Sequence, residues 1–155
     1  MILACDPGST QSAYVVYDPK TKTVREHAIV PNEKMRSILN GIMGRTGTTL
    51  VIEYMRPRGM PTSKEEMDTM FELGRMVEHW FGEWVKVYRG DVKLALCGNV
   101  RAKDANIRQA LIDMFGGKQE TKKGGKLYKV KGDEWSALAL SVVYAMKQRG
   151  GGHPE

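Results

Sequence analysis

Three carboxylates, Asp6, Glu53 and Asp133, sit where an acid needs a reason. Asp6 ends the apolar run at 2–5 and is followed at once by Pro7-Gly8-Ser9-Thr10. Glu53 interrupts the apolar run LVIEY at 50–54. Asp133 follows Gly132 at the head of a segment rich in Ala, Leu and Val. A carboxylate on a buried strand is costly unless paired or liganded. A divalent cation is the simplest way to make two of them tolerable, and oxygen-only donors suit magnesium or manganese rather than zinc. Three carboxylates can hold two metals about 4 Å apart, the arrangement that stabilises the attacking and leaving oxygens in phosphodiester cleavage. Each acid also has a plainer reading. Asp6 could shape the Pro-Gly turn, Glu53 could pair with Arg56 or Arg75, and Asp133 could cap a helix.

The elements around these acids must bring them together. Residues 2–6, 12–17 and 23–30 read as three strands joined by short turns, an antiparallel meander. Asn32 could cap a helix from Glu33 to Asn40, broken by the stretch from Gly41 to Gly47. Residues 48–54 read as a strand covered on both faces. If it lies beside the first strand, Asp6 and Glu53 emerge at the same sheet end, and the last helix, 133–149, can bring Asp133 there. A helix over 62–82 follows a Thr62 or Ser63 cap and carries two apolar stripes. Met67, Met70, Phe71, Gly74, Val77 and Phe81 form one, and Leu73, Met76 and Trp80 the other. One stripe suffices for a core, so the second implies a partner or unusually deep burial. A strand at 84–88, a short helix at 91–97 and a helix at 103–115 complete the chain before a lysine-rich segment. That segment, 116–131, has six lysines against one acid and four glycines, and reads as a mobile basic loop or hairpin. The expected fold is a single α/β domain over 1–149, a mixed sheet with helices on its faces, and a disordered tail over 150–155.

The 155 residues suffice for one domain with a real core. A net charge of +6 favours an anionic partner such as nucleic acid, an acidic protein or a lipid surface. No apolar stretch approaches the roughly 20 residues that span a bilayer, and no signal peptide is evident. Two cysteines without metal-type spacing, Cys5 and Cys97, make neither a disulfide framework nor a zinc site. A reducing cytoplasm, of a bacterium or a phage-infected host, is the expected location.

The motifs DPGST at 6–10, VIEYM at 51–55 and GDEWSALALSVVYA at 132–145 resemble the RuvC-type Holliday junction resolvases of the ribonuclease H-like superfamily, and most of all their small phage-type members. FELGR at 71–75 and VKLALCGNVRAKDANIRQAL at 92–111 are similar too, so the resemblance runs in order from residue 1 to about 147. It implies a ribonuclease H-like five-stranded mixed sheet whose first three strands are antiparallel. It also implies a homodimeric, magnesium-dependent endonuclease that nicks opposing strands of a four-way DNA junction. Two magnesium ions, replaceable by manganese, would be held by Asp6, Glu53 and Asp133. The family often carries a fourth acid one helical turn after the third; here that position is Ser136, which could hold a metal-bound water but lacks the charge. Glu134 points about 100° away from Asp133 on a regular helix and would help only if the helix start were irregular.

Lys93 matches the family's basic residue ahead of a glycine turn and would touch the scissile or a neighbouring phosphate, unless it is simply solvated. Arg101 and Lys103 lie in the same stretch. Arg56 and Arg58, in the loop after Glu53, suit phosphate contacts, with Tyr54 or Met60 as a wedge against unstacked bases. Lys118, Lys122, Lys123 and Lys126 suit the backbone of a DNA arm. Pro7-Gly8 would clear space for a phosphate backbone. Three rival readings remain: a non-catalytic binder of structured nucleic acid, a related nuclease acting on RNA or flaps, and an actin-type ATPase suggested by DPGST. The last needs two such domains, and this chain is too short for them.

Overall fold

A computed structural model describes residues 1–43, 47–54, 59 and 63–150, with Met43 through its backbone alone. The strands are β1 (Ile2–Asp6), β2 (Gln11–Asp18), β3 (Thr23–Pro31), β4 (Thr49–Tyr54) and β5 (Trp84–Tyr88). The helices are α1 (Asn32–Met43), α2 (Lys64–Glu78), α3 (Arg89–Cys97), α4 (Asp104–Phe115) and α5 (Glu134–Arg149). One sheet takes the order β3-β2-β1-β4-β5. The β1–β2 and β2–β3 pairs are antiparallel, and β1–β4 and β4–β5 are parallel. This is the expected mixed sheet with an antiparallel start.

Period-two alternation sorts the strands between two cores. Ile2, Ala4, Val51 and Val87 face α3, α4 and α5. Leu3, Cys5, Leu50 and Ile52 face α1 and α2. Both faces of β1 and β4 are therefore covered, which explains their unbroken apolar runs. Asp6 continues the Ile2–Ala4 side, and Glu53 the Val51 side, so both acids face α5. The register pairs Ile2 with Thr49 and Cys5 with Ile52. One residue further on, Asp6 stands beside Glu53.

Several boundaries differ from the sequence expectation. Helix α1 runs through Gly41 to Met43, because Met35, Leu39 and Ile42 are buried on one face and outweigh the weak propensity of one glycine. Helix α2 is shorter than 62–82 and stops at Glu78, because Trp80 turns into the core and its Nε1 donates to the Glu83 carbonyl at 2.9 Å. Its N-cap is Ser63, whose hydroxyl accepts from the Glu66 N–H. The stripe Leu73, Met76, Trp80 is buried; Met67, Met70, Phe71 and Phe81 of the other stripe are exposed, Phe71 by 62%.

The lysine-rich segment is not a hairpin. A 3-10 turn at Lys118–Thr121 leads into successive turns, and Leu127 and Val130 are buried in the α5-side core. The Leu127 N–H donates to the Glu120 carbonyl at 2.9 Å, and the Lys126 N–H to the Glu120 carboxylate at 2.9 Å. Two buried aliphatic residues and one acid thus fix a segment whose lysines alone suggested mobility. Residues 55–58, 60–62 and those beyond 150 lie outside the described residues, so Arg56, Arg58 and Met60 do too.

Candidate metal and nucleic-acid site

The turn after β1 closes without Asp6. Ser12 Oγ accepts from the Gly8 N–H at 3.2 Å and donates to Asn32 Oδ1 at 2.7 Å. Asn32 Nδ2 in turn donates to the Gly8 carbonyl at 2.9 Å. Asn32 therefore ties α1 to the turn. A Cβ at Gly8 would stand 2.3 Å from the Gln11 carbonyl oxygen, so the glycine is required by the turn itself, a different reason from clearing a path for phosphate.

With the turn held by other residues, the Asp6 carboxyl is left facing Glu53. Burial pushes the Asp6 carboxyl up to about 9, and a hydrogen bond to Glu53, the Glu53 charge and the Asp133 charge add to the rise, while Arg89 opposes it. With the two acids on adjoining strands about 4.8 Å apart, the Asp6 carboxyl keeps its proton beside Glu53, because a second charge at that spacing is costly. Their half-buried oxygens form an all-carboxylate donor set, and a divalent cation fits it as a replacement for the Asp6 proton. The thiol of neighbouring Cys5 is fully buried and pushed up by burial and by Asp6, so it behaves as a core hydrophobe.

Glu53 does enter an ion pair, though not with Arg75, which pairs with Glu72 at 3.7 Å. Its partner is Arg89, whose Nη1 lies 3.2 Å from Glu53 Oε1. Arg89 follows β5 directly, and its Nη2 donates to Asp104 at the start of α4. Sequence reading passed over Arg89, which is brought to Glu53 by the pairing of β5 with β4, where Tyr88 is the register partner of Tyr54.

Asp133 enters α5 from Gly132, whose φ of +49° favours glycine. The Asp133 side chain makes no cap hydrogen bond, so the capping role is not what it performs. It is exposed, and its charge acts on Asp6. Among the described residues, no three His, Cys, Asp or Glu side chains form a ready-made metal cluster. Asp6 and Glu53 are together; Asp133 stands at the rim. Ser136 is half-buried one turn along α5.

Glu134 has a different role from the accessory one considered above. Its side chain is 2% exposed, and Oε2 accepts from His27 Nδ1 at 2.8 Å and from the Lys131 N–H at 2.9 Å. The carboxylate is committed to β3 and to the loop, so it anchors the first turn of α5 and is not a free ligand. The Arg108 guanidinium, 5.0 Å over the Trp135 ring, adds a tie from α4.

The basic residues divide by place. Lys93 lies one turn after Arg89 on the same face of α3. Lys103 precedes Asp104, and Arg101 is exposed in the turn before it. Lys118, Lys122 and Lys123 are exposed beyond α4. Lys126 lines a small cavity with Tyr17, Phe115 and Arg149. Tyr17 pairs with Ile2, at the other end of β1 from Asp6. That separation is roughly 13 Å along the strand, so Lys126 is remote from the carboxylates.

No protein-family model matches the sequence, and no curated protein does. Among solved structures, RuvC of Thermus thermophilus is similar with a TM-score of 0.72 and 16% identity, over 97% of this chain and 96% of that one. The same protein in complex with a Holliday junction substrate gives a TM-score of 0.69 at 16% identity, covering 97% and 95% of the two chains. With its sheet order, its covered faces and this likeness over nearly the whole of both chains, the protein has the fold of Thermus thermophilus RuvC, a mixed five-stranded sheet flanked by helices.

Proposed function

We propose that this chain is a divalent-cation-dependent DNA endonuclease that resolves four-way junctions by paired nicks. The observation that carries the reading is the Asp6–Glu53 pair: two carboxyls set side by side at a sheet end, at a cost to the fold. Function compensates that cost if a cation takes the place of the Asp6 proton. Asp6 and Glu53 would hold it from the sheet, and Asp133 from the rim. Bound there, magnesium or manganese supplies activation of the attacking water and neutralisation at the departing 3′ oxygen.

The chain's own residues do the rest. The Glu134–His27 bond and the Lys131 N–H hold the start of α5 in place, and Asp133 at that start would turn its carboxylate towards the pair. Lys93, one turn after Arg89 on α3, and Arg101 and Lys103, just before Asp104, would supply phosphate contacts that position the substrate without reading its bases. Lys118, Lys122 and Lys123 extend the basic track past α4 for a DNA arm, and Arg56 and Arg58 belong to the loop that follows Glu53 in sequence. The exposed stripe Met67, Met70, Phe71 supports a two-fold homodimer, in which two sites face opposing strands. A reducing cytoplasm suits the two free cysteines.

The test is an end-labelled four-way junction with magnesium, mapped on all four strands. Symmetric nicks on two opposing strands, lost in Glu53→Gln while junction binding persists, support the proposal. Full nicking by pure Glu53→Gln refutes it. Ser136 in place of a fourth acid favours one second reading, a non-catalytic junction binder; tight binding with no nicks in either cation would establish it. Faster cleavage of structured RNA or flaps than of the junction would redirect the substrate assignment.

A further inference from the structure

The fold delivers a cation as well as acids to the carboxylate pair. Arg89 begins α3 where β5 ends, beside β4, so its guanidinium reaches Glu53 at 3.2 Å. The same guanidinium is tied to Asp104, whose side chain is 76% exposed. It therefore occupies, in the cation-free protein, part of the electrostatic place that a metal would take at Glu53. It also has a second anchor, so loss of Glu53 would not release it from the mouth. A planar guanidinium carries five donors in a fork that matches phosphate oxygens. Two of them serve the carboxylates here.

We propose that Arg89 is a displaceable residue with two positions. It neutralises Glu53 before a cation binds; once a divalent cation takes the Glu53 oxygens, Arg89 stays on Asp104 and turns its freed donors to a non-bridging oxygen of the substrate phosphodiester. The inference deepens the function proposed above and rests on it for the second position, while the first concerns the protein and cation alone.

The experiment has two arms: manganese uptake without DNA, followed by calorimetry, and nicking of a labelled junction at saturating manganese. Arg89→Gln is expected to take up manganese about fivefold tighter, since a competing unit charge at ion-pair range is gone. It is expected to nick at least about tenfold slower, since a charged donor to phosphate is gone. Unchanged or weaker uptake overturns the first position, and nicking at the wild-type rate overturns the second. Asp104→Asn leaves Arg89 wholly to Glu53 and is expected to weaken uptake about twofold to threefold; it decides the matter if Arg89→Gln does not fold, and unchanged or tighter uptake there counts against displacement. A wild-type protein that takes up manganese with these shifts yet nicks no junction retains the displacement and loses the proposed function. A wild-type protein that takes up no manganese loses both.

Discussion

Replacing Asp6 by Asn is expected to make the cation-free protein more stable at neutral pH. Asn keeps the shape and can donate to Glu53, but it cannot ionise. In the folded protein the Asp6 carboxyl is held up to about 9 by burial and by Glu53, against 3.8 ordinarily. Its folded value is the raised one, so the folded chain holds a proton that the unfolded chain has lost throughout that window. Stability from this group is complete below pH 3.8 and falls as pH rises towards 9. Each unit is worth about 1.4 kcal/mol, so the ceiling of the loss at pH 7 is about 4 kcal/mol. Water at the half-exposed mouth screens the charges, and a gain of about 1–2 kcal/mol is expected for Asp6→Asn. For a domain of this size that is a rise of about 3–8 °C in Tm. The assay is thermal melting of both proteins in a chelator from pH 4 to 9. The gap should be near zero at pH 4 and widen with pH. Excess magnesium should then reverse the order, since a ligand at a hundred times its Kd adds about 2.7 kcal/mol to the wild type alone. An Asn variant less stable than wild type at pH 7 in chelator, or a gap independent of pH, would refute the reasoning.

Three further outcomes are expected. His27→Ala leaves the buried Glu134 carboxylate with the Lys131 N–H as its remaining described donor, and should cost about 1–3 kcal/mol, read from a urea midpoint; no change would show that the pair does not hold α5. Phe71→Glu on the exposed face of α2 should leave the melting temperature within about 2 °C, as surface changes do, yet convert a dimer to a 17.4 kDa monomer in sedimentation; a wild type that is already monomeric at high concentration, with and without DNA, would remove the dimer. Leu127→Ala, in the lysine-rich segment, should cost about 2–4 kcal/mol as a core truncation does, and a neutral result would return that segment to the mobile loop that its composition suggested.

The strands were legible as short apolar runs bounded by turn residues, and the helices by the spacing of their apolar residues. The parity of Asp6 with Ala4 and of Glu53 with Val51 needed only the parallel β1–β4 pairing to bring both acids to one face. What escaped the sequence was nonlocal. Arg89 gains its meaning from β5 lying beside β4, a pairing made between residues some 34 apart in the chain, as in Leu50 with Trp84. Glu134 sits in the first turn of α5, and residue order does not reveal that its carboxylate is buried against β3. Its partner His27 lies 107 residues away. The segment 116–131 misled through composition: the lysines dominate the count, but Leu127 and Val130 decide the structure. The reading of Asp133 as a helix cap followed local preference, and the structure gives that side chain no cap bond.

The most direct test is anomalous diffraction at the manganese edge from crystals soaked in manganese. A peak is expected beside the Asp6 and Glu53 carboxylates, with the Asp133 side chain turned in from the rim and Arg89 moved off Glu53. A soaked crystal with no peak there, or with a peak that Asp133 and Glu53 both ignore, would contradict the proposed site.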